Sequence, residues 1–277
     1  MADLAALPKD WIVTPGQFTR ATYSTVYPAI DPTKPKNYLT GKTVVVTGAS
    51  RGIGARGIAP AFVKAGVKAI VLVATNAANL ASVEKKLHNI SPAIETLLLS
   101  VDISSVDQVA KAWVEINARY DRVDILVNNA GEVNVKGTHS MTQQFLKAAM
   151  SWATTTNLAK VINMTSSSAW GVWPFLAAYA NSKAAMVSYT TTLAASYPGT
   201  VFAVAVNPGL NDTDILPSSP RYAGFNCNDP SLTGGTLVWL AADVDVEELV
   251  ARKQEITSKN LLTMQLNARL GAKQFAA

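Results

Sequence analysis

The chain has 277 residues, 49% of them apolar and only 16% charged, which suffices to bury a sizeable core in one globular body. Its 24 Lys and Arg against 19 Asp and Glu leave a net charge of +5, but the cations are scattered, so no nucleic-acid partner is expected. The single cysteine (Cys227) excludes an internal disulfide, the two histidines (His88, His139) lack companions at metal-ligand spacing, and no apolar run approaches a membrane span.

Asp3, Lys9 and Asp10 interrupt what a signal peptide would need as an apolar stretch, so the predicted location is cytoplasmic, with no metal and no membrane partner. Residues 1–40 hold Pro8, Pro15, Pro28, Pro32 and Pro35 with little periodicity and read as an extended N-terminal arm lying over the body. From Gly41 onward, β-branched runs at 43–47, 69–74, 96–101, 124–128, 160–165 and 201–206 alternate with helical patterns at 53–65, 80–88, 105–120, a stretch ending near 150, and 176–197. The runs are apolar throughout rather than one-in, one-out, as strands covered on both faces require. The predicted fold is therefore α/β: a doubly wound parallel sheet (Rossmann fold), three layers αβα, making one domain over 41–242. In the pattern from Ser105, Val109, Ala112, Trp113, Ile116 and Tyr120 recur at three- and four-residue steps while Lys111, Glu115 and Arg119 face away. Residues 243–277 read as a helical tail, patterned by Leu249, Ile256, Leu261 and Leu266.

The first run leads directly into Gly48-Ala49-Ser50-Arg51-Gly52-Ile53-Gly54 and then a helix. Glycines there permit a tight turn and close backbone approach to a pyrophosphate, which the free N–H groups of the helix start would face. Gly48, Ser50, Arg51, Gly52, Ile53 and Gly54 are thus expected to bind a cofactor; the bland alternative is an ordinary βα turn. An NAD site places a carboxylate at the end of the second strand for the ribose 2′-hydroxyl, and here that end is Ala74-Thr75-Asn76, with no acid. Arg51 and Thr75 suit a 2′-phosphate, so NADP is predicted; the competing reading leaves Arg51 a solvated loop residue and NAD bound less specifically.

Residues 47–54, then Asn128-Asn129-Ala130-Gly131, then Tyr179-Ala180-Asn181-Ser182-Lys183 follow in order, with Ser166 thirteen residues before Tyr179 and Asn207-Pro208-Gly209 and Thr213 after the sixth strand. Together they resemble the short-chain dehydrogenase/reductase family over 41–242, and the Pro-rich arm is similar to that of fungal members. The resemblance implies that Asp102 and Ile103 hold the adenine, that the backbone at Asn128, Ala130 and Gly131 passes the ribose, and that Pro208, Gly209 and Thr213 flank the nicotinamide amide. It also implies that Lys183 donates to the nicotinamide ribose, and that the chain forms a homo-oligomer, dimer or tetramer. For Asn128 a tie between neighbouring strands is the other reading, and for Pro208, Gly209 and Thr213 a simple turn.

The chemistry follows from the residues as well. Reducing a ketone with a hydride creates an alkoxide that needs a proton in the transition state, and a tyrosine of pKa ~10 gives one up reluctantly. Lys183, one helical turn after Tyr179, puts an ammonium on the same face, where it lowers the phenol's pKa, at about 1.4 kcal/mol per unit. Ser166 hydrogen-bonds the substrate oxygen as its charge grows; Ser167 and Ser168 stand beside it, and spacing selects Ser166. The predicted activity is an NADP(H)-dependent interconversion of a ketone and a secondary alcohol, on a small carbonyl or alcohol substrate. Trp170, Trp173, Phe175, Tyr222 and Phe225 suggest an apolar or aromatic one, although core packing explains them nearly as well.

Two stretches depart from the family pattern. Val133-Asn134-Val135-Lys136-Gly137-Thr138 resembles the segment whose asparagine supports a proton-relay water, which makes Asn134 a fourth catalytic candidate, yet it stands only three residues after Gly131. After Ala242 the family's Gly-rich turn and seventh strand are not visible, leaving a sheet edge uncovered. Both stretches serve the substrate region, so the competing function is a catalytically weak or inactive nucleotide-binding protein of the same fold.

Overall fold

The computed structural model describes residues 23–131, 135–171, 176–213 and 227–242. Within them, β1 (Thr43–Thr47), β2 (Ala69–Ala74), β3 (Glu95–Ser100), β4 (Ile125–Asn128), β5 (Ala159–Met164) and β6 (Val201–Val206) form one sheet in the order β3-β2-β1-β4-β5-β6. Every neighbouring pair is parallel. The strand order reverses between β1 and β4, which pair Val44 to Ile125 and Val46 to Val127. In open sheets of this kind ligands bind outside the C-terminal ends of the strands at that reversal.

Two apolar layers flank the sheet, and alternate residues of each inner strand feed them. Val44, Val46, Ile70 and Leu72 pack on one side with α1 (Ala59–Lys64), α2 (Ala77–Ile90) and α6 (Pro230–Ala241). Val45, Val71, Val73 and Leu126 pack on the other with α3 (Val106–Arg119), α4 (Lys136–Ala149) and Leu193 of α5 (Ala177–Ser196). This is the doubly wound architecture the alternating pattern predicts. Side-chain caps set the helix starts: Asn76 accepts from Asn79 N at 2.8 Å before α2, and Ser105 from Gln108 N at 3.4 Å before α3.

Three features differ from the sequence reading. β3, at one edge of the sheet, is not apolar throughout: Leu97 and Leu99 are buried while Glu95 and Ser100 are exposed, since no strand among the described residues covers its outer side. The helix after the glycine turn opens with a π-helical stretch, Gly54–Ile58, before α1. Helix α6 had no predicted counterpart. It is capped by Asp229, starts at Pro230, and is buried nearly all round, including Thr233, Gly234, Gly235 and Thr236, so it lacks the one-sided stripe that marks a helix. From the segment read as an arm, Tyr27 and Ile30 are buried against Leu232 of α6. The predicted tail at 243–277 and residues 1–22 lie outside the described residues.

Candidate active site

The glycine turn and the loop after β4 meet at the strand-order reversal, and a threonine locks them. Thr47 Oγ1 accepts from the backbone N–H groups of Asn129 and Ala130, both at 3.1 Å. Asn129 answers by donating its amide to the carbonyls of Thr47 and Gly48, each at 3.1 Å. The backbones are so close that a Cβ at Gly48, whose φ is +66°, would stand 2.8 Å from Ala130 Cα, and one at Gly54 2.3 Å from Gly48 O. These two glycines are therefore demanded by protein packing before any ligand arrives. Gly52 (φ +56°) and Gly131 are different: a Cβ at the first would meet only the Thr213 side chain, no nearer than 3.8 Å, and one at the second nothing within 4 Å. Ser50 and Ile53 are half-buried and Arg51 is exposed, without an ion pair to a described acid. No side chain caps the helix start at Ile53; the N–H of Ala55 donates to Arg51 O at 3.3 Å, and first-turn N–H groups without such a partner can face an anion.

The other predicted cofactor residues divide by what their side chains do. Thr75 is exposed at the end of β2, its carbonyl accepting from Ser100 Oγ at 3.0 Å. Asp102 is exposed, and the hydrogen bonds from Ser104 hold its carboxyl below the ordinary range. Ile103 turns its side chain into the core with Trp113 and Val109, so any part in binding falls to its backbone. Asn128 ties strands and helices: its Nδ2 donates to Asn163 Oδ1 at 2.8 Å and to Thr142 Oγ1 at 3.0 Å. Past β6, Asn211 Nδ2 donates to the carbonyls of Pro208 (2.9 Å) and Gly209 (3.2 Å), and Gly209, at φ +71°, donates its N–H to Asn207 Oδ1. This folds the loop back so that buried Thr213 reaches Gly52. Arg56 reinforces the closure through Asp212, donating to its carbonyl at 2.9 Å and its carboxylate at 3.2 Å.

Tyr179 and Lys183 lie on the first turns of α5. Lys183 is 6% exposed; its ammonium sits 5.5 Å from the Tyr179 ring centroid and donates to Met164 O, at the end of β5, at 3.1 Å. Thr165 Oγ1 donates to Lys183 O at 2.9 Å, fastening the helix to the strand end. Ser166 follows at once, its Oγ accepting from Ser168 N at 3.3 Å as the cap of the short turn Ser167–Ala169, which packs against α5. The structure thus brings together the end of β5, the serine turn and the Tyr-Lys pair. Asn134, Trp173, Phe175, Tyr222 and Phe225 lie outside the described residues. Trp170 is 52% exposed at the close of the serine turn.

Several contributors escaped the sequence reading. The lock made by Thr47 and Asn129 was written in two quoted motifs, but nothing in either says that they touch. Buried atoms without partners gather at the same strand ends: Asn128 Oδ1 at the end of β4, Ser168 Oγ after β5 and Asn207 Nδ2 after β6. Open space at Gly52 and Gly131, an uncapped helix start and unpaired polar atoms at the strand ends suit a bound dinucleotide.

A parallel sheet whose strand order reverses between β1 and β4, with a glycine turn leading into a helix at that reversal, defines the doubly wound class, in which ligands bind beyond the C-terminal strand ends. The family described as short chain dehydrogenase matches residues 42–222, and the chain belongs to this family of oxidoreductases, the short-chain dehydrogenases/reductases, as a fungal-like member. The short chain dehydrogenase mpl6 of Monascus purpureus is 32% identical over 283 residues, covering 88% of this chain and 94% of that one. That span exceeds the 277 residues of the whole chain, so the relative carries segments with no counterpart here. Among solved structures, a Pseudomonas aeruginosa RhlG/NADP active-site complex matches with a TM-score of 0.66 at 26% identity, over 75% of this chain and 92% of that one. A 3-ketoacyl-(acyl-carrier-protein) reductase from Brucella melitensis complexed with NADH gives a TM-score of 0.65 at 25% identity, over 74% and 92%. Among the described residues no helix is long and apolar enough to cross a membrane.

Proposed function

We propose that the chain is an NADP(H)-dependent oxidoreductase that interconverts a ketone and a secondary alcohol, with Tyr179 as the acid and base. The observation that carries this reading is the buried Lys183 ammonium held 5.5 Å from the Tyr179 ring, on the helix that packs against the serine turn. Backbone groups of Gly48, Ser50, Gly52, Ile53 and Gly54 would hold the diphosphate, and Arg51 with Thr75 the 2′-phosphate. Asp102, Ile103, Asn128, Ala130 and Gly131 would border the adenine and its ribose. Pro208, Gly209 and Thr213 would border the nicotinamide. When bound, the dinucleotide supplies or accepts the hydride.

The protein's own part is proton handling. Tyr179 gives its phenolic proton to the substrate oxygen, Lys183 stabilises the phenolate left behind, and Ser166, whose Oγ already accepts from Ser168 N, turns its O–H toward that oxygen. Asn134 would support the relay that reprotonates the phenol. The family resemblance supports a cytoplasmic homo-oligomer acting on a small carbonyl or alcohol substrate.

Following NADPH absorbance against a panel of ketones tests the reading. Tyr179→Phe should cut the rate by about 10²–10⁴-fold, the range for losing a general acid; equal rates in wild type and variant would end it. One observation favours a second reading, a nucleotide-binding chain without turnover: α4 begins at Lys136, five residues after Gly131, where the family has a longer connection. Thermal stabilisation by NADPH with no turnover of any ketone would establish that alternative.

A further inference from the structure

The dinucleotide crevice lies at the C-terminal ends of the strands. At their opposite, N-terminal ends a second cavity of about 320 Å³ opens where the start of β1, the turn before β2 and the connection from α3 to β4 meet. Its wall carries four cations, Lys42, Lys68, Arg119 and Arg122, against two acids, Asp121 and Asp124. The buried carboxylate of Asp124 is already engaged, accepting from Thr43 N at 2.9 Å, from Lys42 Nζ at 3.2 Å and from Arg122 Nη2. Lys68 and Arg119 have no ion pair with any described acid.

Two donors in this wall are left over. The Arg122 guanidinium is fixed over the Trp152 ring, 4.1 Å from its centroid, and Nη2 also donates to Asn157 Oδ1 at 2.7 Å, yet its Nε–H is buried without a partner. Tyr120 is 5% exposed; its buried hydroxyl oxygen faces the Arg119 guanidinium, which can only donate to it, and its own O–H has no acceptor. Burial pushes that phenol's pKa up, which keeps it a donor. Buried donors are rarely left unpaired in folded proteins, and two in one cation-lined cavity are what an oxyanion would satisfy.

We propose that this cavity is a second site, remote from the crevice, for a small oxyanion of the phosphate class, held by the Tyr120 hydroxyl, the Arg122 Nε–H and the cations of Lys68 and Arg119. The occupant is a free phosphate or the phosphate of a small ester; the two share the recognised group. The site is independent of turnover at Tyr179, so failure of either reading leaves the other standing.

Calorimetric titration at fixed ionic strength tests it, with inorganic phosphate and, in a parallel arm, glycerol 3-phosphate as the probes. Both arms are run on wild type, Arg51→Ala, the double variant Lys68→Ala/Arg119→Ala, and Tyr120→Phe. At least one probe should bind wild type and Arg51→Ala alike, the tighter of the two identifying the free anion or the ester as occupant. The double variant should bind it at least about tenfold more weakly, as expected on losing charge-assisted contacts. Tyr120→Phe, which removes one hydroxyl and keeps the ring, should weaken it as well. Absence of binding by both probes in wild type overturns the proposal, and so does binding that Arg51→Ala abolishes while the double variant retains it, because that anion belongs to the glycine turn.

Discussion

Asn163 holds the middle of a buried polar chain beneath the candidate site. Its Oδ1 accepts from Asn128 of β4 at 2.8 Å and its Nδ2 donates to Thr190 Oγ1 of α5 at 2.8 Å, while Thr190 in turn donates to Met186 O at 2.7 Å. The chain pins the helix bearing Tyr179 and Lys183 to two central strands. Asn163→Leu, of similar size, would strip partners from two buried groups at once and should cost about 1–3 kcal/mol in urea unfolding; an unchanged midpoint would refute this role. The residues proposed to react could be picked out from spacing alone: Lys183 four places after Tyr179 on one helix, Ser166 closing a strand. Their supports were not, since Asn163 reaches Thr190 and Thr47 reaches Asn129 only after the fold joins segments far apart in sequence.

At the scale of elements, α6 and the first helix touch backbone to backbone. A Cβ at Gly57 would stand 2.0 Å from Pro230 O, and one at Gly234 2.2 Å from Gly57 O. Gly57→Ala must part the helices and should destabilise by about 1–3 kcal/mol. Adding Gly234→Ala should cost less than the sum of the two, as both widen the same gap; strict additivity in thermal or urea unfolding would contradict that. Strands and amphipathic helices were read to within a few residues because one period or one apolar run sufficed, whereas α6 hid because its two glycines and buried threonines match no stripe. Its cap adds a pH signature. Asp229 accepts from Ser231 N at 2.7 Å, and the hydrogen bonds from Ser231 hold its carboxyl below the ordinary value of 3.8. A depressed folded-state pKa contributes stability that is complete above the unfolded value and lost as pH falls through the folded one. Asp229→Asn keeps a capping oxygen without the charge, so its melting temperature should fall less steeply than wild type below about pH 4. Parallel acid limbs in the two proteins would exclude the cap as their source.

For the molecule as a whole, the strand order decides how a cofactor couples to stability. The glycine turn follows β1 in one half of the sheet, while Asn128–Gly131 and Thr213 follow β4 and β6 in the other, and the turn touches both. A dinucleotide spanning that reversal would bind only when both halves are assembled, so it should raise the global melting transition. At a concentration of 100 times its Kd such a ligand adds about 2.7 kcal/mol. In a chain of this size that is a rise on the order of 5–10 °C. Under the proposed cofactor choice NADP gives the larger rise and NAD the smaller at equal concentration, because only the former carries a 2′-phosphate for exposed Arg51. Arg51→Ala should bring the two curves together by lowering the NADP response and leaving the NAD response in place. Equal responses in wild type would remove the 2′-phosphate reading while keeping dinucleotide binding. A variant that loses both responses would mean that Arg51 shapes the glycine turn itself, which an exposed side chain without an ion pair to any described acid does not lead one to expect.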